Sequence, residues 1–160
     1  MNITKYTKIL LPIVLAILQV TLMPLLGIKG VYPNLLVIGV TFVVLFGEEN
    51  DAFWFAVISG LILDLLSPLP FGLNTLLLVL LALIFGFLKK SLPELNLLLV
   101  VTLIFVNTFI VSSILNLVTQ HFSIYLLLFE SIYAAVLGLG GFAYLNTRYK
   151  RSQVIKLGNE

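Results

Sequence analysis

The chain has no cysteine, a single histidine and little charge, with Asp, Glu, Lys and Arg making up only 10% of its 160 residues. Without thiols there is no disulfide framework, thiolate metal site or sulfur nucleophile, and nothing marks a redox compartment. A lone His121, with no cysteine or carboxylate cluster beside it, makes a poor metal ligand and reads as a solvated loop residue. No Ser/His/Asp set, glycine-rich phosphate loop or carboxylate pair stands at catalytic spacing, so the sequence displays no enzyme machinery and calls for no cofactor. A formal net charge of +2 is too small to suggest nucleic acid.

What fills the space is hydrocarbon: 61% of the residues are hydrophobic, and mean hydropathy is +1.17. A soluble domain carries about a quarter charged residues to solvate its surface. This chain cannot cover itself that way, so its solvent is lipid. Backbone groups left unpaired are not tolerated there, which makes the expected class an all-α integral membrane protein.

A crossing takes about 20 helical residues. Segments 9–26, 73–88, 95–118 and 123–145 fit well. Segments 31–46 and 52–66 are shorter, joined by the acidic tip Gly47-Glu48-Glu49-Asn50-Asp51, and form either two spans or a re-entrant hairpin. Two full spans are favoured, because Phe53 and Trp54 beside the tip suit a membrane–water interface. The first run is longer than a signal-peptide core of roughly 7–15 residues. It ends in Met23-Pro24-Leu25-Leu26-Gly27 without a small-x-small cleavage site, so it reads as a retained helix.

About six spans with an internal N-terminus place Lys5, Lys8, Lys89, Lys90, Arg148, Lys150, Arg151 and Lys156 in the cytoplasm and Lys29 alone outside. Excess Lys and Arg mark the cytoplasmic face, so both termini are expected there, in a bacterial inner membrane. Tyr144 and Tyr149 flank the last crossing. Residues 1–147 form one membrane domain, and 148–160 a short basic tail able to meet anionic lipid. Every loop is too short to hold a folded extramembrane unit.

Ionisable groups within spans are functional candidates. Asp64 lies before the turn Ser67-Pro68-Leu69-Pro70-Phe71-Gly72-Leu73-Asn74 and is expected to pin it by accepting backbone N–H bonds, a proton relay being the sharper alternative. Glu130 is expected to reach water near the outer interface, with Lys29 available as a partner. Thr108, Ser112 and Asn116 share one helical face, and the last span carries Ala134, Ala135, Gly138, Gly140 and Gly141. Small and weakly polar residues let membrane helices approach, so these two spans are expected to pack closely. A substrate cavity lined by the same stripe is the alternative.

Several motifs together resemble a known family. Gln19-Val20-Thr21 and Gly30-Val31-Tyr32-Pro33-Asn34-Leu35-Leu36 are similar to the opening of MreD, the rod shape-determining membrane protein of bacteria, whose pattern is Gly-x-x-Pro-Asp-Leu. Gly60, Asp64-Leu65-Leu66-Ser67 and Pro70-Phe71-Gly72 resemble that family's Gly-x-x-x-Asp-Leu-Leu-Ser-Gly-x-Pro-x-Gly stretch. Asn34 stands where Asp is commoner, and Pro68 where Gly is usual.

The resemblance implies a scaffold of the cell-elongation machinery rather than an enzyme. Its implied partners are a single-span MreC-like protein and, through it, RodA, a class B penicillin-binding protein and MreB filaments. It also implies a likeness to the S components of energy-coupling-factor transporters, and a vitamin-binding S component is the alternative function. Against that alternative, Ala16 stands alone in the first span, which lacks the Ala-x-x-x-Ala docking signature. The residues expected to shape a partner site or its turns are Pro33, Asn34, Gly60, Asp64, Pro70, Gly72 and Asn74. Helix packing is assigned to Thr108, Ser112, Asn116, Gly138 and Gly141.

Overall fold

A computed structural model describes residues 5–28, 30–89, 96–119 and 123–157, with side chains placed over 7–28, 30–89, 96–119 and 123–144. Lys29, Lys90, Gln120 and His121 lie outside the described residues, as do the side chains of Lys5 and of the basic residues 148–156. The described elements are helical: α1 (Lys5–Thr21), a 3-10 turn (Met23–Leu26), α2 (Leu35–Phe46), α3 (Glu49–Leu66), α4 (Leu73–Lys89), α5 (Leu97–Thr119) and α6 (Ile124–Leu157).

Local chemistry sets the helix bounds, and several differ from the sequence expectation. Helix α1 runs over Lys5–Thr21 and is followed by a 3-10 turn, in place of one segment 9–26. Helix α2 begins at Leu35 rather than residue 31. Pro33 has no N–H to give and Asn34 takes the N-cap, its side chain accepting from the Val37 N–H at 3.2 Å. Helix α3 begins at Glu49 rather than residue 52, so Glu49 and Asp51 sit in its first turn, where the helix dipole favours negative charge. Helix α6 runs unbroken to Leu157 instead of ending at a separate tail. No Gly or Pro interrupts it between Gly141 and Gly158.

Two stretches are long and apolar enough to cross a membrane by themselves, Leu97–Thr119 and Ile124–Tyr144. The apolar helices Thr7–Thr21, Leu35–Phe46 and Leu73–Lys89 are shorter. At 12 residues, α2 reaches only about 18 Å. Yet it holds the centre, packing against all five other helices. Leu36, Val37, Val40 and Val44 meet Ala16, Phe55, Ala56, Leu77, Leu81 and Val111 on one side. On the other, Ile38 and Leu45 meet Val100, Ile104, Ala134 and Phe142. A helix apolar all round is a buried one.

Polar side chains are buried beside this apolar core, and the exterior is apolar. Gln19, Asn34, Thr41, Ser59, Asp64, Asn74, Asn107, Thr108, Ser112 and Ser131 are buried, whereas Leu10, Leu61, Leu83, Phe87, Leu98, Ile110, Phe129 and Val136 are exposed. A contiguous apolar exterior of this kind is what lipid covers.

The two ends of the bundle differ in charge. At one, Lys8 Nζ donates to Asp51 Oδ1 at 2.6 Å and Lys89 Nζ donates to the Gly47 carbonyl at 2.9 Å. The start of α1, the α2–α3 tip and the end of α4 therefore gather together. Hydrogen bonding to Asp51 holds the Lys8 ammonium above its ordinary pKa. Exposed Trp54 packs edge-on to Phe53 near this tip. The opposite end carries the connections after α1 and α3 and the end of α5.

Candidate functional site

At that opposite end the backbone needs of two helix starts are met by side chains from other helices. The first turn of α4 leaves N–H groups without intrahelical partners, and the residue before it, Gly72, has φ +91° and no side chain to offer them. Asp64 in the last turns of α3 fills the gap. Its Oδ1 accepts from the backbone N–H and side-chain amide of Asn74, both at 2.9 Å. Its Oδ2 accepts from the Thr75 N–H at 3.0 Å and hydroxyl at 2.6 Å. Both carboxylate oxygens are thus saturated in a buried position, and the negative charge faces a helix N-terminus.

The close approach depends on Gly60, one helical turn before Asp64. A Cβ there would stand 2.5 Å from Thr75 Cα and 3.0 Å from its nitrogen. Gly60, Asp64, Gly72 and Asn74 thus form one joint between α3 and α4. Pro70 accepts through its carbonyl from the Leu73 N–H at 3.1 Å, closing the turn that leads in.

The second joint is built on α2. Gln19 of α1 accepts the Leu35 N–H on Oε1 at 2.7 Å and donates from Nε2 to the Pro33 carbonyl at 3.3 Å. With Asn34 capping from within, Pro33, Asn34 and Gln19 fix the extended approach to α2. The motif-bearing residues Pro33, Asn34, Gly60, Asp64 and Asn74 are therefore buried, while Pro70 is exposed. What they present to the outside is apolar: Leu25 is 82% exposed, Leu65 72% and Phe71 69%. Sequence reasoning missed this rim, and it met Gln19 only as part of a motif. A carboxamide in an otherwise apolar span was the available signal.

The two joints border a cavity of about 440 Å³, whose wall includes Gln19, Asn34, Asn74, Ser112, Asn116 and Glu130. Of the α5 stripe, Ser112 and Asn116 reach it; Asn116 donates to the Ser112 carbonyl at 2.7 Å. Ser112 faces Glu130 of α6, yet its hydroxyl makes no hydrogen bond of ordinary geometry. Below it, Thr108 is buried with an unpartnered hydroxyl, and Asn107 donates to Thr41 Oγ1 on α2 at 2.9 Å. Helices α5 and α6 pack extensively. Gly138 abuts Ile104 of α5, and Gly141 abuts Phe42 of α2. Tyr133 donates to the Leu26 carbonyl at 3.3 Å, tying α6 to the 3-10 turn.

Comparison with known protein families matches the model described as rod shape-determining protein MreD over residues 2–148. No curated protein matches. No solved structure matches either, so the expected likeness to transporter S components has no structure to rest on.

Proposed function

The chain belongs to the MreD family of rod shape-determining membrane proteins, and on that premise we propose that it is a membrane scaffold of the cell-elongation machinery. In this reading it binds a single-span MreC-like partner and helps to couple cytoskeletal filaments to peptidoglycan synthesis. RodA, a class B penicillin-binding protein and MreB are its further associates.

The observation that carries the reading is the inverted polarity of the bundle. The buried polar groups Asp64, Asn74, Gln19 and Asn34 hold its helices together, while the exterior is apolar. Recognition on such a surface runs through van der Waals packing and a few polar contacts in the membrane. The two joints shape the partner site indirectly. They fix the 3-10 turn, the end of α3 and the turn after it, which carry Leu25, Leu65 and Phe71 and which the partner covers.

The proposed topology is six crossings with both termini cytoplasmic, residues 1–147 being the membrane domain and the basic residues after them its helical extension. The end that gathers Lys8, Asp51 and Lys89 faces the cytoplasm. Helix α2 is short for a span, but irregular backbone at membrane depth is tolerated where protein or a cavity encloses it. The chain has no native cysteine, so single-cysteine variants map this directly. Asn50→Cys and Gln153→Cys are expected to label only in opened cells, and Ser67→Cys in intact ones. Labelling of Gln153→Cys from outside overturns the topology.

The function is tested by depleting the protein in rod-shaped cells and by isolating it from native membranes after crosslinking. Rounding of the cells and recovery of an MreC-like chain are expected. Retained rod shape with no such partner rejects the scaffold reading.

A further inference from the structure

Most polar groups at the open end are used up by the fold, but four in the cavity wall keep capacity beyond it. Gln19 and Asp64 are engaged through both polar atoms of their side chains. Ser112, at 1% exposure, keeps an unpartnered hydroxyl. It faces the carboxylate of half-buried Glu130, and among the described residues of the cavity wall there is no basic side chain. Asn74 and Asn116 each use their amide nitrogen as a donor, to Asp64 and to the Ser112 carbonyl respectively. Each keeps its carbonyl oxygen and one further amide N–H.

The wall therefore offers a carboxylate, a hydroxyl and the amides of Asn74 and Asn116, each with a carbonyl acceptor and one N–H, with the Asn34 amide donor beside them. Among the described residues of the wall Glu130 is the one group able to carry charge at neutral pH, so an anion would be repelled there and a cation matched. An ammonium brings a positive charge for the carboxylate and three N–H donors for the wall's oxygen acceptors. A volume of about 440 Å³ lies in the range of small-ligand sites.

We propose that this cavity binds a primary ammonium group, carried either by an ethanolamine lipid headgroup or by a free small amine. Glu130 supplies the countercharge; Ser112, Asn74 and Asn116 accept the remaining N–H bonds. The proposal does not rest on the scaffold reading, since it concerns the interior of the open end and not its rim.

The test uses full-length protein in detergent, equilibrated with equal amounts of phosphatidylethanolamine and phosphatidylglycerol. Retained lipid is counted by native mass spectrometry, and free ethanolamine binding is measured by calorimetry on delipidated protein. A preference for the ethanolamine lipid of about tenfold or more assigns the headgroup source. Saturable ethanolamine binding without lipid preference assigns the free amine. In either case Glu130→Gln is expected to remove the binding and Ser112→Ala to weaken it several-fold, while Leu98→Ala on the outer face of α5 changes nothing.

Equal retention of both lipids with no ethanolamine binding overturns the proposal. So does a preference that survives Glu130→Gln, or capture of a lysine-bearing peptide in place of lipid and amine. If amine binding appears only in Lys29→Ala, the chain's own lysine occupies the site and the proposal falls.

Discussion

Replacing Asp64 by Asn separates a charge-based joint from simple filling of space. The variant keeps one oxygen for the Asn74 N–H and amide, but presents an NH2 group where Thr75 offers two donors. The Thr75 hydroxyl can turn to accept from that NH2, but the Thr75 N–H then faces a donor and is left unpaired. A buried donor left without a partner predicts a destabilisation of roughly 1–3 kcal/mol. Asp64→Ala removes all four acceptor contacts and should cost more, about 3–5 kcal/mol, as when one partner of a buried polar pair is deleted. Reversible unfolding in mixed detergent micelles, followed by helical circular dichroism, reads both values. A double-mutant cycle with Thr75→Val should show coupling, because the Thr75 hydroxyl donates to the carboxylate at 2.6 Å, a charge-assisted bond that the amide does not reproduce. If Asp64→Asn lies within about 0.5 kcal/mol of the parent, or equals Asp64→Ala, the capping argument is wrong. The proton-relay alternative then regains ground.

Gly60→Ala puts a methyl 2.5 Å from Thr75 Cα and should destabilise by about 1–3 kcal/mol despite the better helix propensity of alanine. Gly140→Ala, where a Cβ meets open space, should be neutral or slightly stabilising in the same unfolding assay. Gln19→Leu leaves the Leu35 N–H without its 2.7 Å acceptor and is expected to lose about 1–2 kcal/mol, with faster hydrogen exchange at Leu35. The raised pKa of Lys8 means its ion pair is intact below the ordinary lysine range and fails only as pH climbs through the raised value. The single Trp54 should therefore report a fluorescence step above about pH 10 that Asp51→Asn abolishes.

Composition and hydropathy sufficed for the class of the molecule and for the position of its longest helices, since lipid imposes a length and a polarity on any chain it holds. The place of Asp64 just ahead of a Pro- and Gly-rich turn was equally plain, although what it holds is the first turn of α4. Other features were hidden for physical reasons. Gln19 meets Leu35 across 16 residues, a contact that no helical or strand period encodes. The start of α2 is decided by the Pro33–Asn34 cap and not by the apolar run that begins earlier. Hydropathy ends near Tyr144 while helix-forming residues continue, so α6 outlasts its apolar stretch. The cavity draws its wall from residues as far apart as Gln19 and Glu130, a convergence that belongs to tertiary structure.

The central place of α2 has a consequence for biogenesis. A ribosome delivers this short helix before four of the five neighbours that enclose it. With about 18 Å of length it has little to anchor it alone, so it depends on insertion together with α3 as a paired unit. Chains halted before α5 would leave Ile38 and Leu45 without Val100 and Ile104. Quality control by membrane proteases would then find its target in the very segment that organises the finished protein.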